Sequence, residues 1–272
     1  MDYCFAKTAI GYQHSNNKQV CQDHSLLFKD NNRKIITCCD GHGGNIYIRS
    51  SIGSKLASIA IFNIFANITP QLFRLEEEEL ENQIKLQILC EWNKLVEQDL
   101  ANKPLKKSEI DTLTDEEIDT LKNNFVKAYG TTLSGALQLG NKLLVVGIGD
   151  TEAMIIKNGQ IGKVFDNDDD PAANVTYSMC QEDAFKYIRV KLLEYRDVDG
   201  ILLCTDGLTG PYQSYYNFNE SFIKPMIKRL LDSGSLNHID TFIDDVASHL
   251  GVGDDVSLAF IMKDKVARKY YR

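Results

Sequence analysis

The sequence predicts an α+β fold in which two β-sheets are covered by helices. Short stretches of β-branched and apolar residues, typical of strands, lie near both ends of the chain. Two long segments in the first half repeat apolar residues every three or four positions, which indicates helices, and the middle of the chain alternates with a period of two. Such elements bury their apolar faces by packing in layers.

The first half of the chain places strands before helices. Strands are predicted at 3–10, 24–28 and 34–39, and the last of these (KIITCC) stops abruptly at DGHGG, residues 40–44. From residue 45 onward the apolar spacing changes to three and four, so a helix is expected there. A second helix is predicted at about 78–100.

The segment at 101–117 is polar and rich in lysine, and we interpret it as a surface insertion with a short helix of its own. Thr114 and Glu117 fit a capping box at the start of that helix. Glycine-asparagine pairs separate the next strands, so we expect an antiparallel meander with strands at 131–139, 142–149, 152–157 and 160–164.

The last part of the chain returns to apolar strands with helices between them. A strand is predicted at 200–205, where it ends at Asp206-Gly207, and another at 256–262. Between them lie two helical patterns, at about 219–231 and 239–250.

Composition and charge exclude several classes of protein. The 272 residues are 43% hydrophobic, which is enough for a buried core and excludes a disordered chain. The net charge of −8 disfavours nonspecific binding of nucleic acid. We expect no membrane span and no secretory signal, because apolar runs are short and the start lacks a basic region. Seven cysteines without a CxxC pair favour a reducing, cytoplasmic location.

Four predicted strands have an aspartate next to a glycine at one of their two ends. A single such aspartate could simply cap a turn. Four of them would gather carboxylates at one rim, where the negative charges repel one another and raise each pKa. Oxygen ligands favour magnesium, manganese or calcium as the counter-charge, so the residues alone predict a divalent metal site. The motifs are Asp40-Gly41, Gly149-Asp150, Asp206-Gly207 and Gly253-Asp254-Asp255.

In order and spacing, these motifs resemble those of the metal-dependent Ser/Thr protein phosphatases of the 2C type (PPM family). The resemblance implies a single domain over 1–272, with the polar insertion and a variable flap at about 165–196. It implies a β-sandwich of two antiparallel sheets flanked by helices on both sides, a four-layer αββα arrangement with a two-metal cleft at one edge. The matching stretches are KQVCQD at 18–23, DGHGG at 40–44, GTT at 130–132, GD at 149–150, TDG at 205–207 and GDDVS at 253–257.

The resemblance also implies which residues bind two Mn²⁺ or Mg²⁺ ions. Asp40 would bridge both ions, and the carbonyl of Gly41 would help to hold one of them. Asp206 and Asp254 would bind the other ion. Asp23, which closes the KQVCQD stretch, would lie in the metal shell.

Further roles follow from the same resemblance. Asp150 would hold a looser third metal ion. Lys18 stands at the position of a phosphate-binding arginine, and His42 resembles the general acid that protonates the leaving Ser or Thr oxygen. The implied reaction is hydrolysis of phosphoserine or phosphothreonine in a phosphoprotein by a hydroxide that bridges the metals, carried out by a monomer.

The chain departs from the family pattern at several positions. Lys18 keeps the positive charge but lacks the bidentate guanidinium, so we expect phosphate binding weaker by roughly 1–2 kcal/mol. Gln22 replaces a carboxylate, Glu152 stands in place of an arginine, and Gly210 stands where many relatives have an aspartate. Two alternatives therefore stay open: a catalytically impaired binding or regulatory module, and a hydrolase of a small phosphorylated metabolite.

Other polar residues are interpreted without a functional role. The acidic stretch at 166–170 lacks the features of a calcium loop and is expected to be solvated. The remaining histidines lack ligand spacing and are expected to be surface or partly buried polar residues: His14, His24, His238 and His249.

Overall fold

Two five-stranded antiparallel sheets form the centre of the computed structural model, which describes residues 2–165, 176–264 and 268–269. Within these residues one sheet has the strand order β1-β10-β9-β6-β7 and the other has the order β2-β3-β4-β5-β8. The strands are β1 (Asp2–Ala9), β2 (His24–Lys29), β3 (Arg33–Cys39), β4 (Leu133–Leu139), β5 (Lys142–Ile148), β6 (Glu152–Lys157), β7 (Gln160–Lys163), β8 (Arg189–Glu194), β9 (Gly200–Cys204) and β10 (Val256–Lys263).

The helices lie at the outer faces of the two sheets. None of those in the described part of the chain combines the length and apolar character that a bilayer span requires. Single turns of 3₁₀ or π geometry connect or extend several of them. The α-helices are α1 (Tyr12–Asn16), α2 (Ser50–Asn67), α3 (Glu77–Asn102), α4 (Lys107–Ile110), α5 (Asp115–Asn123), α6 (Ala184–Tyr187), α7 (Asp206–Thr209), α8 (Tyr215–Phe218), α9 (Lys224–Ser233) and α10 (Asn237–Asp245).

Three apolar layers hold the four structural layers together, which confirms the predicted sandwich. One core lies between α2 and α3 and the sheet of β3, and it contains Trp92 and Ile84. A second core lies between the two sheets, where Ile36 of β3 and Ile201 of β9 are fully buried. A third core, around Phe222, packs the C-terminal helices against the other sheet. Each sheet is therefore apolar on both faces.

The predicted four-strand meander at 131–164 is wrong in its middle connection. The hairpins β4–β5 and β6–β7 form as expected, but they belong to different sheets. The chain crosses from one sheet to the other at Gly149, whose φ of +86° is readily adopted by glycine. All seven residues of β4 are buried, so an alternating pattern could not indicate which sheet each hairpin joins.

Antiparallel pairing brings the functional motifs to one edge of the sandwich. The end of each strand lies beside the start of its neighbour, as in the pairing of His24 with Cys39 and of Leu258 with Cys204. The segments before β2, β4 and β10 therefore meet the segments after β3, β5 and β9. This edge carries Asp23, Asp40, Thr131, Asp150, Asp206 and Asp254.

Candidate active site

Asp40 is held at the end of β3 by the backbone that leads into β4. Its N–H donates to the hydroxyl of Thr132 at 3.0 Å. Its carbonyl accepts from the Thr132 N–H and from the Thr131 hydroxyl, both at 2.8 Å. Gly41 and Thr131 then form an isolated β-bridge. The GTT stretch identified in the sequence thus fixes the backbone from which the Asp40 carboxylate projects.

Asp23 lies below the rim and is almost fully buried, with 7% of its surface exposed. The Thr205 hydroxyl donates to its Oδ2 at 2.7 Å, and the same hydroxyl oxygen accepts the N–H of Ser257 at 2.9 Å. The side chain is therefore tied to β9 and β10. Its role in a metal shell stays a prediction.

Asp206 and Asp254 reach the rim from the other sheet. Asp206 is the first residue of α7, separated from β9 by Thr205, and the residue as a whole is exposed. Asp254 is also exposed, in a loop that turns at Gly253 with a φ of +93°. A Cβ at Gly207 would lie 2.0 Å from the carbonyl oxygen of Asp255, so the two loops pack in direct contact.

The carboxylates of this edge raise one another's pKa. Burial raises the pKa of Asp40 well above its usual value, and the negative charges of Asp23, Asp206, Asp150 and Asp254 raise it further. Repulsion of this kind shows that the five carboxyl groups lie near one another at this edge.

Two of the other carboxylates respond in the same way. Burial, followed by repulsion from Asp255 and Asp254, raises the pKa of Asp23 to about 8, although the Thr205 hydroxyl opposes the rise. The carboxyl group of Asp206 is surrounded by protein even though the residue is exposed as a whole, so burial raises its pKa, and Asp150 and Asp254 add to this.

The described ion pairs of the chain leave this carboxylate group without a cationic side chain. Within residues 2–165 and 176–264, no lysine or arginine forms a salt bridge with Asp23, Asp40, Asp206 or Asp254. The donors are all oxygen atoms, which suit Mg²⁺ or Mn²⁺. The residues present therefore fit a divalent metal site.

His42 lies half-buried beside this group, on the loop that follows Asp40. Its backbone N–H donates to the carbonyl of Gly130 at 3.1 Å. Its ring and the ring of Tyr47 pack edge to face, with centroids 4.9 Å apart. A Cβ at residue 130 would lie 2.9 Å from His42 Cδ2, so glycine is required there. Burial lowers the pKa of His42, and the carboxylate of Asp150 opposes that shift.

Lys18 and Asp150 are more loosely placed. Lys18 lies on an exposed turn after α1 with a φ of 56°, and the described hydrogen bonds include none from its side chain. Asp150 is exposed and accepts a hydrogen bond from the Thr176 hydroxyl at 2.7 Å. The structure therefore brings Asp150 to the carboxylate group but leaves Lys18 outside its contacts.

Gln22 explains one departure from the family pattern. Its side-chain amide donates to the carbonyl of His42 at 3.3 Å and to the Ser50 hydroxyl at 2.9 Å. The backbone carbonyl of Gln22 accepts the N–H of Gly41 at 3.1 Å. An ionised carboxylate has no proton to donate, so the amide ties the DGHGG loop in a way that glutamate would not.

A guanidinium lies near Gly149, and it comes from β8, a strand that the sequence analysis did not predict. Glu152, at the family's arginine position, turns away and pairs with Lys163 at 3.2 Å. Arg189 of β8 instead donates to the carbonyl of Gly149 at 3.1 Å. β8 was missed by the sequence analysis because its RVKLLE sequence gives only a weak strand signal, and spacing gave no indication of Arg189. The acidic stretch at 166–170 lies outside the described residues.

His14 and Asp255 form a second group that the sequence did not indicate. Ligand atoms of His14, Asp254 and Asp255 lie within 4.8 Å of one another, close enough for a shared cation. Both oxygens of Asp255, however, already accept backbone N–H groups, those of Gly11 at 2.8 Å and Gln22 at 2.6 Å. Asp255 is therefore a structural tie between loops, with His14 as its polar neighbour.

Arg49 connects the loop that carries Asp40 and His42 to the polar segment at 101–117. Its guanidinium is 5% exposed and pairs with Glu109, with Nε–Oε1 and Nη2–Oε2 distances of 2.8 and 3.1 Å. It also donates to the Tyr129 hydroxyl and the Lys103 carbonyl, both at 2.7 Å. Arg49 N–H donates to the carbonyl of Ala128 at 2.8 Å, close to the GTT stretch.

Comparison with known proteins gives one family and one fold. The protein phosphatase 2C family model matches residues 10–244. No curated protein matches the chain at a significant level. The family match therefore covers most of the chain.

Solved structures with the same fold include bacterial serine/threonine phosphatases. The phosphatase of S. agalactiae is 17% identical, with a TM-score of 0.64 over 97% of this chain and 100% of its own. Stp1 of Staphylococcus aureus is 17% identical, with a TM-score of 0.58 over 97% and 96%. The catalytic domain of PstP, solved in complex with two manganese ions, is 16% identical, with a TM-score of 0.59 over 96% and 97%. At these identities the likeness shows the fold.

Proposed function

Since this chain belongs to the protein phosphatase 2C family, we propose that it is a metal-dependent phosphatase that hydrolyses phosphoserine and phosphothreonine in proteins. The observation that carries the proposal is the meeting of Asp23, Asp40, Asp206 and Asp254 at one edge, without a lysine or arginine paired to them in the described residues. Such a group of carboxylates is stabilised by cations.

We propose that the cations are Mn²⁺ or Mg²⁺. Asp40 and the carbonyl of Gly41 would hold one ion, Asp206 and Asp254 would hold the other with Asp40 shared, and Asp23 would support them from below. A looser third ion would be held by Asp150. Bound there, the ions would lower the pKa of a water molecule and so provide the nucleophile near neutral pH. The two manganese ions of the PstP structure support this choice of metal.

The chain's own residues would then orient the phosphate and supply a proton. His42 follows the metal ligands on a loop fixed by Gln22 and Gly130, so its ring can hold a proton beside the leaving oxygen. Lys18 would neutralise a phosphate oxygen, because its side chain is free to move over the exposed turn. The buried hydroxyls of Thr131 and Thr132 fix the Asp40 backbone and need not touch substrate.

We also propose that the protein acts as a monomeric cytoplasmic signalling enzyme with a single domain. Its seven cysteines are all free, which supports a reducing compartment. The polar segment at 101–117 would be an insertion in that domain, and the flap would lie at about 165–196, of which 166–175 fall outside the described residues.

The experiment is hydrolysis of para-nitrophenyl phosphate and of a phosphothreonine peptide, with Mn²⁺, with Mg²⁺ and with chelator. We expect metal-dependent turnover that Asp40→Asn and Asp206→Asn each reduce by about a hundredfold or more. Asp119→Asn is the matched control, since its side chain is 70% exposed on α5. Turnover that survives chelation, or that both site variants retain, would contradict the proposal.

A further inference from the structure

Four exposed apolar side chains lie on two hydrogen-bonded segments beside the candidate active site. Among the described residues, seven large hydrophobic side chains are exposed, and four of them belong to two segments that are hydrogen-bonded to each other. We call these four residues the apolar rim. They are Ile10 (39% exposed), Tyr12 (39%), Val20 (66%) and Val252 (48%).

The segments that carry the apolar rim are held in fixed positions. The N–H of Gln13 donates to the carbonyl of Gly253 at 3.0 Å, and its side-chain amide donates to the carbonyl of Val252 at 2.9 Å. The Gln19 N–H donates to the carbonyl of His14 at 2.9 Å, which closes the turn that precedes Val20. The apolar rim is therefore a preformed surface.

The apolar rim adjoins the metal ligands. A Cβ at Gly253 would lie 2.7 Å from the ring of Tyr12, and a Cβ at Gly11 would lie 2.3 Å from the carbonyl of Asp254. Two residues of chain span at most about 7 Å, so the Cα atom of Val252 lies within that distance of the Cα atom of Asp254. A residue next to a phosphorylated side chain bound at the metals can reach this surface.

The charge around the apolar rim suits a phosphorylated polypeptide. Residues 10–22 (IGYQHSNNKQVCQ) contain no carboxylate, although the chain as a whole carries a net charge of −8. Lys18 is exposed in the same stretch. A substrate segment that follows residues 10–22 would thus meet apolar side chains and one cation, and the neighbouring exposed carboxylate of Asp254 is one that the proposed metal ions would neutralise.

We propose that the apolar rim binds an aliphatic or aromatic side chain that flanks the phosphorylated residue of the substrate protein. This inference rests on the proposed phosphatase function and adds a sequence preference to it. Binding energy from such a side chain raises kcat/KM for peptides that carry it, whereas para-nitrophenyl phosphate is too small to reach the apolar rim. The preference is therefore separable from the chemical step.

The test uses pairs of phosphothreonine peptides that differ at a single position, which is leucine in one peptide and glutamine in the other. The varied position lies one or two residues before or after the phosphothreonine. With the full chain and Mn²⁺, the better leucine peptide is expected to have a kcat/KM about fivefold above its glutamine partner, as partial burial of one leucine side chain gives. The double variant Val20→Ser/Val252→Ser is expected to reduce that ratio below about twofold. It should leave hydrolysis of para-nitrophenyl phosphate unchanged.

The matched control is Leu86→Ser, which removes an apolar side chain that is 55% exposed on α3. It should keep the leucine preference. Equal rates for leucine and glutamine peptides in the wild-type protein, or a preference that the double variant retains, would overturn the inference while phosphatase turnover stands. Loss of a dimer in the double variant, seen by light scattering with no change in peptide preference, would assign the surface to contact between copies and also overturn it. Absence of turnover on every substrate would instead refute the proposed function itself.

Discussion

Nδ1 of His14 lies 2.9 Å from Oδ2 of Asp255, a carboxylate that is almost fully buried. The same carboxylate accepts the N–H groups of Gly11 and Gln22. One side chain therefore joins the turn around α1, the segment before β2 and the loop that carries Asp254. The position of Asp254, a predicted metal ligand, therefore depends on Asp255, which needs no contact with a metal.

Asp255→Ala is expected to lower the free energy of unfolding by about 3 kcal/mol, because it leaves one buried and one partly buried N–H group without acceptors. Asp255→Asn keeps an oxygen acceptor and is expected to cost about 1 kcal/mol. Urea unfolding at constant Mn²⁺ gives both values, with Asp119→Asn as an exposed control. An alanine variant as stable as the wild type would show that the tie is unimportant.

The metal-free protein is expected to lose stability as the pH rises. Asp23 has a pKa of about 8 in the folded chain, above its ordinary 3.8, and burial is the main cause. Between these values the folded state holds a proton that the unfolded state releases, so raising the pH favours unfolding. With chelator present, the melting temperature should therefore fall between about pH 5 and pH 8.

Two comparisons check this pH dependence. Asp23→Asn removes the titrating carboxyl group and should flatten the slope. Saturating Mn²⁺ should raise the melting temperature and reverse the slope, because metal binding requires ionised carboxylates. A metal-free melt that does not change with pH would argue against the buried carboxylate group.

His42→Gln is expected to reduce kcat for a phosphothreonine peptide by about a hundredfold, since the alkoxide leaving group needs a proton. The loss for para-nitrophenyl phosphate should be much smaller, because its phenolate leaves without protonation. Burial lowers the pKa of His42, so the wild-type rate on the peptide should fall as the pH rises through that lowered value. Equal losses on both substrates would exclude a general-acid role.

Lys18→Arg is expected to lower KM for a phosphopeptide about fivefold to thirtyfold, because a guanidinium can bind two phosphate oxygens at once. Lys18→Ala should raise KM with little change in melting temperature, since the side chain is exposed. Steady-state kinetics at constant ionic strength measure both effects. Identical KM values for all three proteins would remove Lys18 from the site.

Local sequence patterns predicted most of the fold and the carboxylate group. β3 is a run of β-branched and apolar residues that stops at glycine, and the capping box of Thr114 and Glu117 is present at α5. Aspartates beside glycines at strand ends are close in sequence to the elements that place them. Their meeting within each sheet then follows from antiparallel pairing, as for Asp206 after β9 and Asp254 before β10.

Other features depend on contacts between distant segments, and the sequence could not indicate them. Asp255 and His14 are far apart in the chain, and Arg189 reaches Gly149 from a strand with a weak signal. The buried face of α2 was also hidden, because it consists largely of small residues such as Gly53. A Cβ there would lie 2.0 Å from the carbonyl of Tyr129, so close approach selected glycine over a larger apolar residue.

The Arg49 contacts bear on attempts to make a smaller version of this protein. The polar segment at 101–117 resembles a dispensable loop, yet Glu109 and the Lys103 carbonyl satisfy a guanidinium that has almost no access to water. Trimming that loop would remove these acceptors and leave an almost buried positive charge with fewer partners, chiefly Asp99 at 3.4 Å and the Tyr129 hydroxyl. A truncation should therefore be made together with Arg49→Met or Arg49→Leu, so that the vacated space is filled by hydrocarbon.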